Sequence, residues 1–198
     1  MIFDCDGVLV DSEWASATAW QAALARFDHH IDGRTFEGFV GTTDRALATA
    51  FAAQTGAEPG DVLQAAEEEM RRAAARGLKP FPDAMALIER LTVPIGVASN
   101  SDRWRLEVVL SSAGVRDLFE VTVAGDEVAN PKPAPDIYLR AAALLGRDPA
   151  DCLVIEDSPT GVSAARAAGM SVVVVRRGYF DDDVLIGADQ IVDSLDQL

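Results

Sequence analysis

Phe3-Asp4-Cys5-Asp6-Gly7-Val8-Leu9-Val10-Asp11-Ser12-Glu13 is the stretch of this 198-residue chain that decides the reading of its fold. Asp4 and Asp6 are two apart, so near a strand end their side chains point to the same side. Two adjacent carboxylates repel, and each raises the other's pKa unless a cation intervenes. A hard divalent ion with oxygen ligands resolves that conflict, and Mg²⁺ is the usual choice where a phosphate is also bound. Gly7 lets the backbone leave the strand sharply. Ser12 or Asp11 is placed to cap a helix beginning near Glu13. Cys5 lies between the two acids, but its side chain is expected to point the other way, into a core. Only three residues precede Asp4, so the first strand is expected to be very short.

The second half of the chain alternates strand and helix. Val93–Ala98 leads to a helix from Asp102 to about Ala113, stopped by Gly114. Val121–Ala124 leads to a helix from about Pro135 to Leu145, stopped by Gly146. Cys152–Ile155 leads to a helix from Pro159 to Ala168, stopped by Gly169, and Ser171–Val175 follows as a strand. Helices that end at glycine and run into β-rich segments are the mark of βαβ units. Strands apolar on both faces fit a parallel sheet covered by helices on both sides. Asp189–Val192 adds an expected edge strand. Residues 13–79 differ, with helical stretches at Trp14–Phe27, Asp44–Gly56 and Asp61–Arg76 and no convincing strand. The simplest reading is an α/β core, residues 1–12 and 80–198, with an all-helical domain, residues 13–79, inserted after the first strand; Pro80-Phe81-Pro82 marks the return.

Polar residues recur just past the strand ends, the edge at which open parallel sheets bind ligands. Ser99 and Asn100 offer a hydroxyl and an amide to phosphate oxygens. Asn130-Pro131-Lys132-Pro133 presents one lysine on a stiff turn, and Glu156-Asp157 is a second acidic pair. The bland readings of these groups are helix caps and a solvated lysine, and capping is compatible with ligand binding.

Composition narrows the partners. With 17 basic and 32 acidic side chains the formal net charge is −15, which argues against nucleic acid or an anionic membrane as partner. An apolar content of 49% suits a folded protein, and no run approaches the roughly 20 residues of a membrane span. No basic region followed by an apolar stretch marks a secretory signal at the N-terminus. Cys5 and Cys152 are expected to be buried thiols, not a disulfide scaffold. A cytoplasmic protein, monomeric or weakly dimeric, is the expectation.

These motifs together, over nearly the whole chain and in order, resemble the haloacid dehalogenase-like phosphohydrolases, in the helical-cap subgroup that includes β-phosphoglucomutase and phosphoglycolate phosphatase. The resemblance implies a Rossmann-like core under a helical cap. It implies that Asp4 is the nucleophile forming an aspartyl-phosphate and Asp6 the general acid and base. Ser99 and Lys132 would bind phosphate. Mg²⁺ would be held by Asp4, the backbone carbonyl of Asp6, and Asp157, with Glu156 behind them or as an alternate ligand.

The implied activity is a Mg²⁺-dependent phosphatase acting on a small phosphorylated metabolite, a sugar phosphate above all. The alternative is a sugar phosphomutase. In mutases of this kind a histidine in the first cap helix and an arginine in the cap loop hold the sugar. Here the matching positions are Ser16 and Asp44, with Arg45 one step away, which favours water as final acceptor. A dehalogenase has no need of Asp6 or of the Glu156-Asp157 pair, and a phospho-accepting signalling module lacks the helical insert. Substrate choice is expected from Glu13, Gly41, Thr42, Thr43 and Arg45, with Trp14 as a further cleft candidate and hinges near Asp11–Ser12 and Lys79–Pro82. Trp20 reads as core, and His29-His30, Glu67–Glu69 and Asp181–Asp183 as solvated surface.

Overall fold

Ile2 and Phe3, the two residues of β1, are wholly buried and pair in parallel with both neighbours: Ile2 stands opposite Gly96 and Val154, Phe3 opposite Val97 and Ile155. In the computed structural model, which describes residues 1–32 and 42–198, this short strand is the centre of a six-stranded sheet. Its partners are β4 (Gly96–Ser99), β5 (Val121–Ala124), β6 (Leu153–Glu156), β7 (Ser171–Val175) and β8 (Gln190–Val192), in the order β5-β4-β1-β6-β7-β8, all parallel. A separate antiparallel pair joins β2 (Val10–Asp11) to β3 (Lys79–Pro80).

The period-2 alternation of the strands divides the core into two layers. Phe3, Val97, Ile155, Val173 and Val175 face α4 (Pro82–Arg90) and α5 (Arg103–Ser112). Ile2, Ala98, Val154, Val172 and Val174 face α6 (Asp136–Leu144) and α7 (Pro159–Ala167). The three expected βαβ units are therefore present, most bounds within a residue or two, with β4 starting at Gly96 and not Val93. Gly114, Gly146 and Gly169 follow their helices at positive φ.

Before the sheet resumes, α1 (Glu13–Ala25), α2 (Asp44–Thr55) and α3 (Pro59–Ala74) pack around Trp20, Leu24, Leu47, Phe51 and Val62. Trp20 and Phe51 rings lie 5.7 Å apart. Fully burying side chains of this size is worth roughly 1.5–3 kcal/mol each, so this small core has its own cohesion. The inner ends of α1 and α3 (Ala15, Ala19, Met70, Ala73) join the sheet's core, which ties the helical layer to it.

The structure corrects three local expectations. Ser12 precedes α1 but makes no capping bond; its hydroxyl is drawn to the Asp6 carboxylate. The two chain crossings pair with each other as β2 and β3, too short to leave a strand signature. Helix α4 starts at the returning Pro82, a residue favoured in a first turn because its missing N–H is not needed there.

Candidate active site

Four segments bring their polar residues to the carboxyl edge of the sheet. Asp4 follows β1, held in line by its N–H donating to Ile155 O at 2.9 Å. The chain then turns tightly, with Leu9 N–H donating to Cys5 O at 2.9 Å, and Gly7 adopts φ +79°. Ser99 ends β4, Lys132 lies in the loop after β5, Glu156 ends β6, and Asp157 follows it. Around them is a cavity of about 60 Å³, closed on the far side by α1 and α2.

Lys132 is the cation of this edge. Its Nζ lies 2.5 Å from Asp4 Oδ1 and 2.6 Å from Glu156 Oε1, over the Tyr138 ring at 4.8 Å. Burial would lower its pKa, but the Asp4 and Glu156 carboxylates outweigh it and hold the ammonium well above its ordinary range. Glu156 is wholly buried and fully partnered: Tyr138 donates to Oε1 at 2.6 Å, and the Asp157 N–H, Ser158 N–H and Ser158 hydroxyl all donate to Oε2. Burial pushes Glu156 up, yet Lys132 and these donors hold it below its ordinary value. Asn100 fixes the lysine loop by accepting from Lys132 N–H at 2.8 Å and donating to its carbonyl at 3.1 Å.

Asp157 is differently placed. It is buried, and among the described residues its carboxylate has no hydrogen bond or ion pair. Burial, then Glu156 and Asp4, push its pKa well up; burial, with Glu156 and Asp6, likewise raises Asp4 against the pull of Lys132. Oxygens of Asp4, Glu156 and Asp157 come within 4.8 Å of one another. A Cβ on Gly7 would stand 2.0 Å from Asp157 Oδ2, so glycine there leaves room for the carboxylate. An acidic cluster short of positive charge, with one unpaired carboxylate, is the donor set of a hard divalent cation. A divalent cation fits it, with Asp157 as the free carboxylate, Asp4 held by Lys132 through Oδ1, and Glu156 committed to Lys132 and the loop behind.

Asp6 turns its side chain away from that cluster. Its Oδ1 accepts from Ser12 and, at 3.3 Å, from Arg105; its Oδ2 accepts from Ser101 at 3.0 Å. Burial pushes Asp6 up, but the Arg105 charge and these hydrogen bonds prevail and hold it low. Arg105, on α5, is a residue the sequence reading missed. It is buried, and its other end donates to Ser16 of α1 at 3.1 Å and lies 3.4 Å from Asp44 of α2. The two positions where a mutase has histidine and arginine are thus joined through one arginine of the core. The available signal was helical phase: Arg105 shares the buried face of α5 with Leu106 and Val109.

The remaining candidates separate. Glu13 and Thr42 line the cavity, as does Ser99, whose Oγ accepts from Ser101 N–H at 3.1 Å. Burial, then Asp6, pushes Glu13 up to about 7. Thr43 caps α2 by accepting from Ala46 N–H at 3.3 Å. Arg45 is exposed and, among the described residues, pairs with Asp102 at 3.7 Å; Trp14 is exposed and is not among the cavity-lining residues. Gly41 lies outside the described residues.

The family model for haloacid dehalogenase-like hydrolase matches residues 1–169. A bifunctional riboflavin kinase/FMN phosphatase of Arabidopsis thaliana is 35% identical over 98% of this chain, which spans only 53% of that protein. The fructose-1-phosphate phosphatase YqaB of Escherichia coli is 31% identical over 89% of this chain and 95% of its own. Among solved structures, CbbY of Rhodobacter sphaeroides in complex with phosphate superimposes with a TM-score of 0.89 at 27% identity, covering 100% of this chain and 94% of the other.

Proposed function

The chain belongs to the haloacid dehalogenase-like hydrolases, and on that premise we propose that it is a phosphatase that cleaves small sugar monophosphates through an aspartyl-phosphate on Asp4. The observation that carries this reading is Lys132 Nζ, 2.5 Å from the Asp4 carboxylate and braced from behind by Glu156. A carboxylate attacks a phosphate monoester poorly because like charges repel. A lysine fixed at the point of attack offsets the repulsion and stabilises charge on the transferring oxygens. Mg²⁺ held by Asp4 and Asp157 would add charge neutralisation at the same oxygens.

Asp4 attacks phosphorus as the bond to the leaving oxygen breaks, and Asp6 gives that oxygen its proton. Asp6, now ionised, takes a proton from the water that attacks phosphorus and frees Asp4. Arg105, Ser12 and Ser101 favour the ionised form of Asp6 that the second step needs. An incoming phosphoryl dianion raises its pKa towards the protonated form of the first step. Residues 13–79 act as the cap over this edge, with the paired β2 and β3 as the two crossings. Ser16 and Asp44 support water as acceptor, since among the described residues no histidine lines the cavity. The fructose-1-phosphate activity named for the E. coli relative supports a sugar phosphate as substrate. Phosphate release on a panel of sugar phosphates, phosphoglycolate and nucleotides, with and without Mg²⁺, tests the reading. Release confined to a few substrates and absent in Asp4→Asn is expected; conversion of glucose 1-phosphate to its 6-phosphate without release means a mutase.

A further inference from the structure

At the end of the cavity away from Lys132, we propose that Arg105, Asp44, Ser16 and Glu13 form the leaving-group subsite, shaped for an uncharged, hydroxyl-rich group and closed to substrates with a second anionic group. The inference rests on the phosphatase reading and narrows its substrate class.

Two polar atoms mark the subsite. Arg105 Nε and Asp44 Oδ2 are buried without a well-formed hydrogen bond among the described residues, although the Trp20 indole also bears on the Asp44 carboxylate, and both residues line the cavity. One is a donor, the other an acceptor. A hydroxyl both donates and accepts, so it satisfies such a pair where a carboxylate or phosphate, an acceptor only, leaves Asp44 unpaired. Ser16 Oγ, which already accepts from Arg105, keeps its own proton to donate.

Charge points the same way. Arg105 is the only arginine lining the cavity among the described residues, and it is shared between Asp6 at 3.3 Å and Asp44 at 3.4 Å. With Glu13 beside them, a second anion would meet three carboxylates around one guanidinium. Like-charge juxtaposition in a buried site is heavily disfavoured. The walls also disfavour a base or acyl chain, because Leu47 is the one large apolar side chain among the described lining residues.

Matched pairs test this directly with the wild-type enzyme and Mg²⁺: fructose 1-phosphate against fructose 1,6-bisphosphate, and glycerol 3-phosphate against 3-phosphoglycerate. The neutral-ended member of each pair is expected to have the higher kcat/KM by about a hundredfold or more. Asp44→Asn, and separately Glu13→Gln, should narrow that ratio by raising kcat/KM on the charged member relative to the neutral one. Equal or inverted preference in the wild type, with acetyl phosphate still hydrolysed, overturns the subsite and leaves the phosphatase reading standing. No release from any ester or from acetyl phosphate overturns both.

Discussion

Lys132 Nζ lies 2.6 Å from Glu156 Oε1, so the cation that faces Asp4 is anchored by a carboxylate with no solvent exposure at all. The anchor sits at the end of β6 and the cation in the loop after β5, two segments 24 residues apart. Their pairing sets where the ammonium stands before any substrate arrives. Preorganised charge of this kind needs no reorganisation at the moment of reaction.

Removing either partner should have separable effects. Lys132→Met is expected to lower kcat by about a hundred- to thousandfold. Glu156→Gln leaves Lys132 buried with a weaker partner and is expected to cost about 3 kcal/mol of stability. Urea unfolding and steady-state phosphate release on both variants check this; a Glu156→Gln protein of unchanged stability contradicts the anchoring role.

The approach of α7 to Glu156 is close enough to forbid a methyl group. A Cβ on Gly161 would stand 1.7 Å from Glu156 Oε1. Gly161→Ala should therefore displace Glu156 and, through it, Lys132. The expected result is a loss of activity with the sheet still folded, read by phosphate release beside circular dichroism.

Cation removal should act on stability as well as turnover. Asp4 and Asp157 are pushed up by burial among other acids, and a divalent ion relieves that crowding. A ligand that binds only the folded state raises its melting temperature. Mg²⁺ added to chelator-treated protein is expected to raise Tm, and Asp157→Asn to abolish the rise.

Glu13 gives the pH dependence a defined sign. Its pKa is about 7 in the folded protein against 4.5 as an ordinary carboxylate. A raised carboxyl favours folding while protonated, so its contribution is full below pH 4.5 and lost as pH rises through 7. Glu13→Gln should flatten the decline in stability across that window, measured as urea midpoints in chelator.

The α/β core was legible because its signals are local and repeated. Apolar runs such as Val121–Ala124, glycine stops such as Gly114, and acids at the strand ends each report on their own segment. The strands' two-layer division follows from alternation alone. What escaped the sequence depends on meetings between distant segments. Ser16 and Asp44 were legible only as positions where a mutase carries other residues, and Arg105, on a third helix, reads as an ordinary helical polar residue until the three meet. Ser12 had the right place for a cap, but Asp6 competes for the same hydroxyl. Arg45, expected at the cleft, sits one helical step beyond Asp44, and that rotation takes it to solvent.

Trapping the phosphoryl group covalently tests most directly whether Asp4 carries it. Acid quench during turnover of a sugar phosphate, followed by reduction with tritiated borohydride, which expels the phosphate and leaves tritium at the reduced carbon, and then peptide mapping, locates the acyl phosphate. Tritium at residue 4 alone, and none in Asp4→Asn, is the expected result. Label on another residue, or full turnover by Asp4→Asn, would contradict it.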